Sequence, residues 1–157
     1  HRDAPPLPQV VNGQPGFDAA SVSHLVDVRK VLLAVRWITL LATIILGVVS
    51  AEALSRGELR GVSGGLRTAG WSTGGLIVLL GVLGASDFDT FFSTFHGLFF
   101  KEGTWTFPAD SLMIRVFPLP FWTAAAASCA ALTLLIAAAL VVAGVVGKRV
   151  ARDMPGN

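Results

Sequence analysis

Three apolar runs, each about long enough to cross a lipid bilayer, constrain this chain more than any other feature. A spanning α-helix needs roughly 20 mostly apolar residues. Residues 31–49 make one such run, interrupted by Arg36, Thr39 and Thr43. A second, over 68–85, is shorter and rich in glycine, with Gly70, Gly74, Gly75, Gly81 and Gly84 available for close helix approach. The third, over 121–147, is built from Ala, Leu and Val and runs directly into Lys148, Arg149 and Arg152. Backbone amides in hydrocarbon must satisfy one another within the segment, so these runs are expected to be helices. The fold class is therefore all-α: a polytopic helical membrane bundle with three spans in this chain.

Composition excludes the alternatives. Of the 157 residues, 53% are hydrophobic and only 14% are charged, a balance that suits lipid rather than water as the solvent. The formal net charge is +2, but its 12 Lys and Arg are dispersed and form no basic stripe, so no nucleic-acid partner is expected. Cys129 is the single cysteine and lies inside the third run, where it serves neither an intrachain disulfide nor a multi-cysteine metal site. No phosphate loop, zinc-protease helix, nucleophile elbow or dinucleotide fingerprint is present, and no cofactor or resident metal is expected.

Between the spans the chain is readable by its breakers and charges. Residues 1–17 are dense in Pro and Gly and read as a surface loop, extending to about residue 23. Asp18 is a plausible N-cap, and Val22, Leu25, Val28, Leu32 and Leu33 recur at helical spacing, so a helix is expected to run into the first span over 24–53. Residues 54–67, with Arg56, Arg60 and Arg67, read as a short connection. Trp37, Trp71 and Trp122 fall near span ends, as an aromatic belt requires. The positive charges of 54–67 and of the 148–157 tail place both on the cytoplasmic side, leaving 1–23 and 86–120 outside the cytoplasm. With an external start, at least one further span is expected upstream, and a four-span bundle is the expected whole.

Residues 86–120 are neither a clean span nor an ordinary polar loop, and are expected to form an extracytoplasmic cap. Phe88, Phe91, Phe92, Phe95 and Phe99 repeat at helical spacing behind Ser86 or Asp87 as a cap, describing an interfacial helix. Asp89, Ser93 and His96 follow at intervals of four and three, which sets a carboxylate, a hydroxyl and an imidazole on one side of it. Pro108, Pro118 and Pro120 break the second half, with a short helix expected over 109–116. The Phe repeat reads as packing against lipid or core. A histidine at membrane level is a functional hypothesis by default, with snorkelling to the interface as its plain alternative. The same holds for His24, whose neighbour Asp27 either orients its ring or pairs with Arg29 or Lys30. Arg36, inside the first span, must snorkel, meet a carboxylate or bind an anionic head group. Asp110 and Arg115 read as a surface pair.

The segments HLVDVRKVL, over 24–32, and FHGLFFKEGTWTFPADSLMIRVFPLPFW, over 95–122, carry a resemblance. In order and in combination they resemble the lipoprotein intramolecular transacylase (Lit) family of bacterial integral membrane proteins, with Met113 and Ile114 departing from the last motif. The resemblance implies a multi-pass protein of the bacterial cytoplasmic membrane with an extracytoplasmic active site. Its expected partners are a diacylglyceryl-modified lipoprotein and membrane lipid. An acyl chain would move from the diacylglyceryl group to the α-amine of the N-terminal cysteine, giving the lyso form. Two histidines are essential in the family, and by motif they correspond to His24 and His96.

Such a reaction needs no enzyme nucleophile, because a neutral amine attacks an ester directly. It needs a base, an acid and support for the oxyanion, and an imidazole titrating near pH 6.5 supplies the first two. His96 is the favoured base and His24 the acid or electrostatic partner, with the reverse assignment open. Asp27, Arg36, Asp89, Ser93, Trp105 and Asp110 are the expected supporting residues, with backbone amides, Trp105 or Arg36 as oxyanion donors. Three rival readings stand beside this one. They are a lipid hydrolase or acyltransferase using Ser93 or Ser23, a metal site built from His24, Asp27, His96 and Asp89, and a non-catalytic membrane scaffold.

Overall fold

The computed structural model describes residues 10–11 and 13–154; the rest of the N-terminal loop reading and the last residues of the tail lie outside them. A two-residue strand, β1 (Val10–Val11), pairs antiparallel with β2 (Gln14–Pro15), Val10 opposite Pro15. Gly13 stands between them at φ 76°, a left-handed position that glycine occupies without strain. Among the described residues five helices follow: α1 (Ala19–Ser55), α2 (Leu59–Ser86), α3 (Phe88–Phe99), α4 (Leu112–Val116) and α5 (Leu119–Asp153). Three of them, α1, α2 and α5, are long and apolar enough to cross a membrane. The all-α polytopic class read from the sequence therefore stands.

α1 begins where the Ser21 amide donates to the Asp18 carboxylate at 2.7 Å, the cap anticipated for that position. Its 37 residues extend about 55 Å at 1.5 Å per residue, against about 30 Å of hydrocarbon. The surplus sets His24 two turns ahead of the apolar run that starts at Val31. The helix ends in a Schellman motif: the Gly57 amide donates to Leu54 and the Glu58 amide to Ala53, with Gly57 at φ 80°.

The connection after α1 is much shorter than residues 54–67. Only Arg56, Gly57 and Glu58 separate α1 from α2, and the Gly- and Ser-rich stretch from Leu59 onward is helical. Glycine disfavours an isolated helix by about 1 kcal/mol relative to Ala, but here packing decides. Ser63 and Gly70 of α2 are buried, as are Ala137, Gly144 and Ala151 of α5. Both sets recur at seven-residue spacing, which keeps each on one helix face. A Cβ on Gly144 would lie 2.5 Å from the Ser63 carbonyl oxygen, and one on Gly70 2.5 Å from that of Ala137. Small residues thus bring two antiparallel backbones together, as they do in bilayers. At the end of this pair the Arg60 guanidinium donates to the Ala151 carbonyl at 3.4 Å. α5 continues to Asp153, so Lys148, Arg149 and Arg152 are helical rather than part of an irregular tail.

The chain divides into two compact units, one of Ile38–Phe88 with the chain from Ala126, which holds this helix pair, and one of the chain up to Trp37 with Asp89–Ala125. In the second of these, α3 is followed by a turn in which the Thr104 amide and hydroxyl both donate to the Lys101 carbonyl, at 3.1 and 2.7 Å. Gly103 takes φ 79° at the third position of that turn. The turn reverses the chain, so that Trp105 and Phe107 come back towards α3 and the start of α1. α4 is shorter than residues 109–116; Ser111 caps it by accepting from the Ile114 amide at 3.4 Å. Ser86 does not begin α3: its hydroxyl donates to Leu83 and helps close α2.

Candidate active site

His24 and Ser21 are the buried residues of α1, His24 being 8% exposed. Its ring stacks on that of His96 from α3, with centroids 6.4 Å apart and planes inclined by 27°. Phe100 meets His24 edge-on at 4.8 Å and Phe107 lies tilted at 5.5 Å. On the other side His96 contacts Phe92 at 3.9 Å and Trp105 at 5.0 Å. Two imidazoles are thus held by three different stretches of chain within an aromatic enclosure.

The two rings differ in what their nitrogens do. His96 Nδ1 lies 2.9 Å from the Phe92 carbonyl of its own helix. A carbonyl only accepts, so Nδ1 carries the proton and donates, which leaves Nε2 as the basic nitrogen of the neutral ring. His24 Nδ1, by contrast, is buried and has no hydrogen-bond partner among the described residues, and the same holds for Trp105 Nε1. Leaving such an atom unsatisfied typically costs about 1–3 kcal/mol. Groups of this kind clustered beside a histidine pair suit a polar ligand. Burial, reinforced by the neighbouring His96, pushes the His24 pKa below the usual imidazole value of 6.5, with Asp27 pulling weakly the other way. His24 is therefore neutral at physiological pH.

Of the supporting residues read from the sequence, Trp105 joins the histidines and the others stand apart. The Asp27 carboxylate accepts from the Lys30 ammonium at 2.8 Å, so it does not orient His24 through a hydrogen bond. A nearby exposed ammonium on the same helix outcompetes a ring that faces inward. Asp89 and Ser93 are exposed on α3, while the His96 ring turns towards Trp105. Their intervals describe one side of a helix but do not bring the groups into contact. Arg36 lies 6.0 Å from the Trp37 ring, about 18 Å along α1 from His24 at 1.5 Å per residue. Asp110 and Arg115 are both exposed. Among the described residues no three His, Cys, Asp or Glu side chains gather as a metal-binding set, so the quartet His24, Asp27, His96 and Asp89 is not assembled.

Phe92, Phe100 and Phe107 were not separable in the sequence from phenylalanines that pack against lipid. The available signal was positional. Phe92 precedes His96 by one helical turn, where its carbonyl meets the imidazole, and Phe100 follows by one turn on the same side.

Three span-capable helices and a stacked imidazole pair, His24 buried and His96 half-buried, describe a helical membrane protein with two histidines brought together. The family model of the lipoprotein intramolecular transacylase, Lit, matches residues 12–122, a stretch that holds both histidines and every aromatic wall of the enclosure. The chain belongs to this family. An uncharacterized protein of Aquifex aeolicus (strain VF5) is 24% identical over 147 residues, covering 88% of this chain. The chain spans 61% of the length of that curated relative. No solved structure matches.

Proposed function

We propose that this chain carries the acyl-transfer site of a lipoprotein intramolecular transacylase in the bacterial cytoplasmic membrane. The substrate is a lipoprotein bearing a diacylglyceryl group on its N-terminal cysteine, and the α-amine of that cysteine receives the acyl chain. The observation that carries this reading is the stacked His24–His96 pair, with the His96 tautomer fixed by the Phe92 carbonyl. Membership of the family supplies the substrate class.

The amine nitrogen attacks the ester carbonyl carbon, a C–N bond forms, and the carbonyl oxygen takes the negative charge. His96 Nε2 accepts the proton released from the amine. Collapse of the tetrahedral species breaks the bond to the glyceryl oxygen, which leaves with a proton returned from the His96 imidazolium, while His24 Nδ1 hydrogen-bonds to that oxygen as charge develops on it. One such proton transfer is typically worth about 10²–10⁴-fold in rate. Because amine and ester belong to one molecule, holding them in register gains effective concentration without further machinery.

The exposure of the candidate serines favours this over a serine mechanism. Ser93 and Ser23, the two serines a hydroxyl mechanism would use, are both exposed. The distribution of Lys and Arg supports an active face outside the cytoplasm. The test is mass spectrometry of lipoprotein N-termini from cells with and without the gene. Conversion of diacylglyceryl termini to N-acylated lyso termini, dependent on the gene, is expected; an unchanged diacylglyceryl pattern overturns the reading.

A further inference from the structure

We propose that Trp105 is a catalytic residue of this site, its indole N–H being the donor that receives the oxyanion of the migrating acyl group; the assignment rests on the transacylase reading above. Indole Nε1 is a donor and nothing else, so when buried it needs an acceptor. Here it is buried without one among the described residues. The ring that carries it lies 5.0 Å from the His96 ring, inclined by 34°, and meets Phe92 edge-on at 5.8 Å. The indole that would hold an acceptor at Nε1 therefore packs in the same aromatic enclosure as the proposed base.

The backbone holds the group in place. Trp105 follows directly on the turn closed by two hydrogen bonds from Thr104 to Lys101 and shaped by the left-handed Gly103. A donor fixed in this way needs little reorganisation when charge appears, which is what an oxyanion donor requires. Arg36, the other side-chain donor considered for the role, is an exposed group about 18 Å along α1 from His24, at 1.5 Å per residue. In the step itself the attacking amine forms the C–N bond and the carbonyl π electrons move onto oxygen. That oxygen accepts from Trp105 Nε1–H until the C–O bond to the glyceryl group breaks and the carbonyl reforms. No proton passes to or from the indole.

The test compares the full-length wild-type protein with Trp105→Phe and His96→Ala, using a synthetic diacylglyceryl lipopeptide in mixed micelles. Phenylalanine keeps an aromatic wall and removes the donor. Trp105→Phe is expected to lower kcat by about 10²–10³-fold with KM nearly unchanged, and wild-type kcat in this variant overturns the assignment. The parent reading is tested separately in the same assay, because it fails if His96→Ala retains full activity. A second measurement serves if Trp105→Phe does not fold. In ¹⁵N-indole-labelled wild type, the Trp105 N–H resonance is expected to move downfield when the lipopeptide binds. A resonance that stays in place at saturating lipopeptide overturns the proposal.

Discussion

The His24 and His96 rings stack 6.4 Å apart although 71 residues of chain separate them (96 − 24 − 1). The helix that enters the first span and the phenylalanine-rich helix α3 therefore meet at their imidazoles. This contact makes His96 the residue with most at stake. His96→Ala removes the basic Nε2 and is expected to lower acyl transfer by at least about 10²–10⁴-fold, the usual worth of a positioned acid–base group. His96→Asn is expected to do the same while the thermal midpoint in detergent moves little. Wild-type turnover in either variant, measured on a diacylglyceryl lipopeptide, would remove His96 from the chemistry.

The depressed pKa of His24 has a direction that can be checked. Burial lowers the folded-state pKa below 6.5, so the folded protein prefers the neutral ring more than the unfolded chain does. The stabilisation is fully present above pH 6.5 and is lost as pH falls through the folded-state pKa, because protonation then favours unfolding. A detergent-solubilised wild-type protein is expected to lose thermal stability between neutral pH and about pH 5, where unperturbed imidazole is charged. His24→Leu is expected to flatten that dependence. An equally steep profile in His24→Leu would assign the acid sensitivity elsewhere.

Helix packing between α2 and α5 rests on glycine, and the positions differ in a way that separates packing from helix propensity. Gly144→Ala sets a methyl 2.5 Å from the Ser63 carbonyl and 2.8 Å from the Arg67 amide, against backbone that cannot turn aside. Overpacking of this kind typically destabilises by about 1–3 kcal/mol. Gly75→Ala meets nothing within 4 Å and is expected to be neutral or to stabilise by up to about 1 kcal/mol through helix propensity. Unfolding in mixed micelles ranks the two, and equal effects would contradict the packing account.

The spans and the Asp18 cap were legible because each rests on a local rule: hydrocarbon forces helices, and a carboxylate ahead of an apolar periodicity satisfies free amides. The start of α2 was not, since Gly61, Gly64 and Gly65 carry the local signature of a loop, whereas the burial of Ser63 and Gly70 on the same helix is a matter of packing between helices that no local rule reports. At the site, the two histidines were marked first as imidazoles at membrane level on one side of the bilayer and then by motif resemblance, which added the expectation that they meet. Asp27 stood between two readings because helical spacing reports which residues share a face but not whether Lys30 reaches the carboxylate first, and the Lys30 pairing is the one found. The walls formed by Phe100 and Phe107 were invisible for a related reason: a ring that lines a site and a ring that faces lipid have the same hydropathy.

Those walls have a chemical consequence of their own. An ester held beside a histidine base hydrolyses if water takes the place of the amine, and the two outcomes share the same base and the same leaving oxygen. Phe107 lies 5.5 Å from His24 and Phe100 lies 4.8 Å from it, so apolar rings occupy the approach to that imidazole. Excluding water from a reactive acyl group is a recognised function of such walls. Phe107→Ala removes one ring and admits solvent. Total ester cleavage is expected to persist in this variant, but with a larger share of free fatty acid and a smaller share of N-acylated product. Chromatographic separation of the two products measures the ratio, and a wild-type ratio in Phe107→Ala would show that the enclosure positions the histidines without controlling water.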